Sequence, residues 1–239
     1  MRILGVIPAR FVSTRFPGKP LIDIGGKTMI RRVYEQSKKA TSLSEVIVAT
    51  DDKQIYNEVV SFGGTVMMTA THHQNGTERC AEVAANITAD VIINIQGDEP
   101  FIHPEQIDTL ASLFNDPKCH IGTLIKVCQE QTLLAKPSII KAVVNNDFQA
   151  LYFSRSVMPY LRNTDTIATF YKHIGIYGYR SDTLMKIVDL KPTPLELAES
   201  LEQLRWLENG YAIQTAITEH ESISIDVPED LERIKDLMG

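Results

Sequence analysis

Three fixed cations, Arg10, Arg15 and Lys19, stand close together in Arg10-Phe11-Val12-Ser13-Thr14-Arg15-Phe16-Pro17-Gly18-Lys19-Pro20, among small and rigid residues. Guanidinium forks meet phosphate oxygens in pairs, and small neighbours let backbone N–H groups approach the same oxygens. The stretch follows the apolar run Ile3-Leu4-Gly5-Val6-Ile7, which the pattern ends at Pro8. It therefore leaves the carboxyl end of a buried strand, where open α/β sheets bind their ligands. A phosphate-binding loop for several anionic oxygens is expected.

Two carboxylates occupy comparable positions. Asp98 follows the apolar segment 90–95 through Gln96-Gly97, and Asp226 follows Ile223-Ser224-Ile225. Such a pair suits Mg²⁺, which takes one or two protein carboxylates and completes its octahedron with water and substrate phosphate. Asp226 precedes Val227-Pro228 and serves equally well as a helix cap. A cation there would offset phosphate charge, while Arg and Lys stabilise a departing pyrophosphate. Asn75-Gly76-Thr77-Glu78-Arg79 is a turn followed by a helix start, whose amides and Arg79 could meet a base or ribose.

The elements that must position these groups alternate. After the loop, Met29, Ile30, Val33 and Tyr34 have helical spacing in a segment reaching Lys39. Glu45 to Thr50 reads as a second buried strand, followed by a helix presenting Ile55, Val59 and Val60 on one face and ending at Gly63-Gly64. A short strand at 65–68, a helix from about Arg79 to Asn86 and a strand at 90–95 complete a βαβαβ series, hence a parallel sheet with right-handed crossovers. From Ile121 the pattern becomes strand-rich, at 121–127, 139–144, 150–153 and 173–179, which predicts antiparallel additions. Helices near 194–208, strands near 213–216 and 222–226, and a helix over 228–238 close the chain. The fold class is α/β, a mixed and mostly parallel sheet of Rossmann-like form with an antiparallel substrate-binding portion.

With 239 residues, 44% hydrophobic and 23% charged, the chain can bury a full core. A formal charge of -6 argues against a nucleic-acid partner. No apolar run approaches a membrane span, and Met1-Arg2-Ile3 enters the first strand without a leader pattern, so a cytoplasmic protein without membrane insertion is expected. Cys80, Cys119 and Cys128 suggest neither a disulfide framework nor a zinc knuckle. A nicotinamide dehydrogenase is disfavoured because Pro8-Ala9-Arg10 stands where a G-x-G-x-x-G turn would be needed. A regulatory nucleotide-binding module would not need Asp98 and Asp226 beside the cationic loop.

Residues 10–21, Gly26-Lys27-Thr28-Met29-Ile30, Val48-Ala49-Thr50-Asp51-Asp52, Gly76-Thr77-Glu78-Arg79 and Gln96-Gly97-Asp98-Glu99-Pro100 together resemble the 3-deoxy-manno-octulosonate cytidylyltransferase family. The resemblance continues through Tyr152-Phe153-Ser154-Arg155, residues 172–177, Glu202-Gln203-Leu204-Arg205 and residues 225–230. It implies a sheet of the nucleotide-diphospho-sugar transferase type in one domain, with 1–120 and 210–239 as nucleotide-binding core and about 121–209 as sugar-binding and dimerisation portion. It also implies CMP transfer from CTP to the anomeric hydroxyl of 3-deoxy-D-manno-octulosonate (Kdo), for lipopolysaccharide synthesis, by a Mg²⁺-dependent homodimer. Arg10, Ser13, Arg15 and Lys19 would hold the triphosphate, with Arg10, Lys19 and Asp98 at the chemistry. Thr77, Arg79 and Gln96 would lie near cytidine, and Asp98 and Asp226 would bind metal. Arg155, His173, Tyr177, Glu202 and Gln203 would face the acid sugar, a role their donors and acceptors can fill. Ser156-Val157-Met158-Pro159-Tyr160 departs from the family's usual turn, which leaves 8-amino-Kdo or a sialic acid as the alternative substrate.

Overall fold

A computed structural model of the chain describes residues 1–12, 16–163, 165–221 and 223–234. The amino-terminal half alternates as expected: β1 (Ile3–Ala9), α1 (Met29–Ser37), β2 (Glu45–Thr50), α2 (Lys53–Ser61), β3 (Val66–Met68), α3 (Gly76–Asn86), β4 (Val91–Asn94) and α4 (Pro104–Ser112). Then follow β5 (Ile121–Val127), α5 (Gln131–Leu134), β6 (Lys141–Val144), β7 (Ala150–Ser154) and β8 (Tyr171–Arg180). The remaining elements are α6 (Ser181–Ile187), α7 (Pro194–Glu199), α8 (Gln203–Glu208), β9 (Ile213–Ile217) and α9 (Asp230–Ile234).

The strands form one mixed sheet in the order β3-β2-β1-β4-β8-β5-β9, with β6 and β7 joined to it through β8. β1 pairs in parallel with β2 and β4, and β2 with β3. β8 runs antiparallel to β4, β5 and β6, as β6 does to β7, while β9 returns parallel to β5. Side-chain alternation sends Ile3, Ile7, Val46, Val48, Val91 and Ile93 into one core with α1, α2 and α4. Leu4, Val6, Ile47, Ala49 and Ile92 enter the other with α3, α6 and α8. Both faces are covered, so these strands read as continuous apolar runs rather than as alternation.

Several expectations are corrected. β1 does not end at Pro8: pairing with β4 stops at Val6↔Asn94, but β2 continues to pair through Pro8↔Ala49 and Ala9↔Thr50. Val60 is exposed, and α2 buries Ile55 and Val59 alone. The helices expected near 194–208 are α7 and α8, separated where Ser200 adopts φ 52°. Residues 223–226 lie in no strand, and the last helix begins at Asp230 rather than at 228, while 235–238 of that expectation lie outside the described residues. α4 and α6 were not anticipated. No helix among the described residues is long and apolar enough to cross a membrane.

Candidate active site

The carboxyl ends of β1 and β4 and the start of α3 surround a cavity of about 320 Å³ lined by Arg10, Lys19, Asn75, Gly76, Arg79, Gln96, Asp98 and Asp226, among others. The flanks of the basic loop meet at its mouth, where the Gly18 amide donates to the Phe11 carbonyl at 3.0 Å. Gly18 has φ 70°, a left-handed conformation that glycine adopts without penalty, and it starts the single turn Lys19–Leu21. Arg10 is exposed at the cavity edge. Ser13 and Arg15, expected in the same loop, lie outside the described residues.

Asp98 and Asp226 are brought together by their backbones. The Ile225 amide donates to the Asp98 carbonyl at 3.0 Å, and fully buried Ile225 anchors that segment in the core. The Asp230 carboxylate accepts from the Asp226 and Val227 amides at 2.9 and 3.1 Å, closing the turn that presents Asp226. Lys19 Nζ donates to Asp98 Oδ2 at 2.7 Å and reaches Asp226 Oδ1 at 3.4 Å. One ammonium thus sits against both carboxylates. Asp230 carried no expectation, although its place four residues after Asp226 is the sequence signal for such a turn.

α3 begins at the cavity. Asn75 caps it by accepting from the Glu78 amide at 2.8 Å, which leaves the helix start facing the cavity, where anions are favoured. Arg79 is buried: its guanidinium donates to Asp51 Oδ2 at 3.1 Å, to the Ala70 carbonyl at 3.3 Å and to the Thr69 hydroxyl. It supports the cavity wall by bonds within the protein.

A second cavity of about 140 Å³ shares Gly76 and Gln96 with the first and is lined also by Thr77, Asn94, Gly175, Tyr177, Tyr179, Glu202, Gln203 and Trp206. Asn94 Oδ1, the Tyr177 and Tyr179 hydroxyls and Trp206 Nε1 are buried here without hydrogen-bond partners among the described residues. Orphaned polar atoms of this kind mark a place where a polar ligand or water supplies the missing bonds. Thr77 donates to Glu202 Oε2 at 3.0 Å, which places Thr77 with the expected sugar-side residues. Burial pushes Glu202 up to about 7, against the lowering effect of the Thr77 hydroxyl. Asn94, Tyr179 and Trp206 were not anticipated. Their signals were a lone amide in an apolar strand, a period of two from Tyr177 and an i,i+4 spacing from Glu202.

His173 and Arg155 line neither cavity. The His173 ring packs near Phe153 and Tyr177, with centroids 5.0 and 5.3 Å away, and its Nε2 meets the Thr123 hydroxyl at 2.9 Å. Burial pushes this imidazole down to about 3, so it is neutral at pH 7. Arg155 donates to the carbonyls of Glu199, Pro137 and Ser200 at 2.7, 3.0 and 3.3 Å. Behind it, buried Lys141 donates to the Ile139 and Lys136 carbonyls at 2.7 and 3.3 Å and to the Arg155 carbonyl.

The Cytidylyltransferase family profile matches residues 4–223. A 3-deoxy-manno-octulosonate cytidylyltransferase of Parabacteroides distasonis is 53% identical, covering 98% of this chain and 96% of its own. One of Cytophaga hutchinsonii is also 53% identical, covering 97% and 96%. Among solved structures, a CMP:2-keto-3-deoxy-manno-octonic acid synthetase complexed with CTP superposes with TM-score 0.95 at 43% identity, covering 100% of this chain and 98% of that one. A 4-diphosphocytidyl-2C-methyl-D-erythritol synthase of Anaerococcus prevotii superposes with TM-score 0.65 at 12% identity, covering 99% and 98%, a likeness of fold alone.

Proposed function

The chain belongs to the 3-deoxy-manno-octulosonate cytidylyltransferase family, and from that premise we propose that it transfers CMP from CTP to the anomeric hydroxyl of Kdo, releasing pyrophosphate. The observation that carries this reading is the pair of adjoining cavities. One is lined by Arg10, Lys19, Asp98 and Asp226, and the other by orphaned groups suited to hydroxyls, with Gly76 and Gln96 between them. In the transfer, the anomeric oxygen forms a bond to the α-phosphorus and gives its proton to solvent, while the bond from the α-phosphorus to the bridging oxygen breaks and pyrophosphate leaves. Arg10 and Lys19 hold the phosphates and offset the charge that develops on pyrophosphate, as Ser13 and Arg15 would from the same loop. Gln96 and Thr77 at the start of α3 face the nucleoside, with Arg79 supporting the wall behind them, and Tyr177, Glu202 and Gln203 orient the sugar.

Mg²⁺ is part of the proposal. Two carboxylates already gathered around one ammonium are an all-oxygen donor pair of the kind this hard cation takes. Asp98 and Asp226 would hold it, and it supplies charge neutralisation and a lowered pKa for the attacking hydroxyl. His173, neutral, bonded to Thr123 and packed near Tyr177, would support the sugar side through that ring, and Arg155, held by three carbonyls, would act there without lining the cavity. We propose a division into a core of 1–120 with 210–239 and a sugar-binding portion of about 121–209, although the second cavity draws residues from both, and we propose a homodimer formed through the latter portion. The buried free thiols of Cys80, Cys119 and Cys128 suit a reducing cytoplasm.

Pyrophosphate release tests the reading. Purified protein with Mg²⁺ should release it from CTP with Kdo, and not from ATP, GTP or UTP. Release with 8-amino-Kdo or N-acetylneuraminate in place of Kdo would move the substrate to that acid, and release with no acid would overturn the transfer.

A further inference from the structure

Outside both cavities, His103, Glu105 and His220 bring three metal-ligating side chains together from sequence positions more than a hundred residues apart. His103 caps α4, Glu105 lies in its first turn, and His220 follows β9. Glu105 Oε2 lies 2.7 Å from His220 Nε2 and 4.0 Å from His103 Nδ1, and the three ligand atoms all fall within 4.8 Å of one another. The two imidazoles stack with centroids 3.6 Å apart and planes 10° from parallel. We propose that this trio binds a divalent transition-metal ion of the zinc, cobalt and nickel class, at a site separate from Asp98 and Asp226.

Donor chemistry sets the class. Two imidazoles and a carboxylate suit borderline ions, whereas Mg²⁺ prefers oxygen and water alone. Bonds of about 2.0 to 2.2 Å around one ion keep ligand atoms roughly 3.4 Å apart, so the 2.7 Å contact opens and the 4.0 Å contact closes, each by less than about 1 Å, and His103 Nδ1 gives up the long 3.4 Å bond it accepts from the Glu105 amide. Parallel rings present parallel lone pairs, so coordination turns both rings about χ2, and neither ring is fully buried. His220 Nε2 now donates to the carboxylate. For that nitrogen to bind metal, its proton moves to Nδ1 of the same ring or leaves to solvent.

The location gives the ion a structural consequence. His103 follows Asp98 on one segment, His220 precedes Asp226 on the other, and Gln106 Nε2 already reaches the His220 carbonyl at 3.5 Å. A bound ion would tie these segments together beside the bond from the Ile225 amide to the Asp98 carbonyl.

The test is a Zn²⁺ titration of the full chain in excess Mg²⁺, read by calorimetry and by imidazole NMR. One ion per chain is expected, with the His103 and His220 ring signals moving together and those of His72 and His73 unmoved. His220→Gln and Glu105→Gln should each weaken binding at least roughly tenfold, and Zn²⁺ should raise the melting temperature of the parent but not of these variants. Zn²⁺ binding that leaves the His103 and His220 rings unshifted, no binding at all, or equal affinity in His220→Gln would overturn the site. If a variant does not fold, the ring signals of the parent decide alone.

Discussion

At the scale of single residues, the groups with the clearest consequences are Asp98, Lys19 and Glu202. If Asp98 serves the transition state, Asp98→Asn should lower kcat by roughly a hundredfold or more while changing the KM for CTP far less. Steady-state kinetics with CTP and Kdo check this, and an unchanged kcat would remove Asp98 from the chemistry. Lys19→Ala should raise the KM for CTP by losing a phosphate contact, and full activity in that variant would contradict the loop assignment. Glu202 titrates near 7 because burial disfavours its charge. The folded state therefore holds a proton there that the unfolded chain, with a carboxyl near 4.5, has released. That contribution to stability is full below about 4.5, declines as pH rises, and is lost above about 7, a change on the order of 3 kcal/mol. Glu202→Gln cannot ionise, so its stability relative to the parent should rise between pH 5 and 8, as denaturant unfolding at several pH values would show. A constant difference would mean that Glu202 does not titrate in this range.

At the scale of elements, the site depends on strand ends meeting closely. A Cβ on Gly97 would stand 2.7 Å from the Pro8 carbonyl oxygen, so the β4 exit can lie against the β1 exit only with glycine there. Gly97→Ala must push the two backbones apart, at a cost of about 1 to 3 kcal/mol, and displaces the neighbouring Asp98. Both the unfolding midpoint and kcat should fall, and loss of neither would show that the approach is not required. The elements most legible in the sequence were those whose apolar runs have clear ends: β2 spans Glu45–Thr50 as expected, and β1 and β4 differ only at their edges. Residues 223–226 misled because Ile225 is buried for anchoring rather than for strand pairing. α4 was legible in principle, with Pro104 after a capping His103 and buried Ile107, Leu110 and Ala111 at helical spacing. Lys19 and Asp98 could be placed at one sheet edge from strand ends, whereas Asp226 reaches that edge through the Ile225 amide bond to the Asp98 carbonyl and not through the strand expected before it. The enclosure of His173 depends on how β5, β7 and β8 meet, and the capture of Arg155 by three carbonyls on the segments at 137 and 199–200, and no local periodicity specifies either.

For the molecule as a whole, the surface of residues 121–209 bears on assembly. Leu151 is 59% exposed, Tyr160 88%, Ile167 99% and Leu197 69%, all within residues 121–209. Scattered apolar residues are ordinary on a monomer, but large ones concentrated in one portion of a chain favour a protein partner, and a second copy is the simplest one. The rest of the described chain exposes fewer large apolar residues, Met1, Val12, Val60, Met68 and Ile217. Light scattering should therefore return twice the chain mass of 26.8 kDa. The double substitution Tyr160→Lys with Ile167→Lys should shift that mass toward the single chain while leaving the unfolding midpoint of the core nearly unchanged, because neither side chain packs in either core cluster. A parent that sediments as one chain would remove the dimer from the reading. A parent dimer unaffected by the double substitution would move the interface to another face.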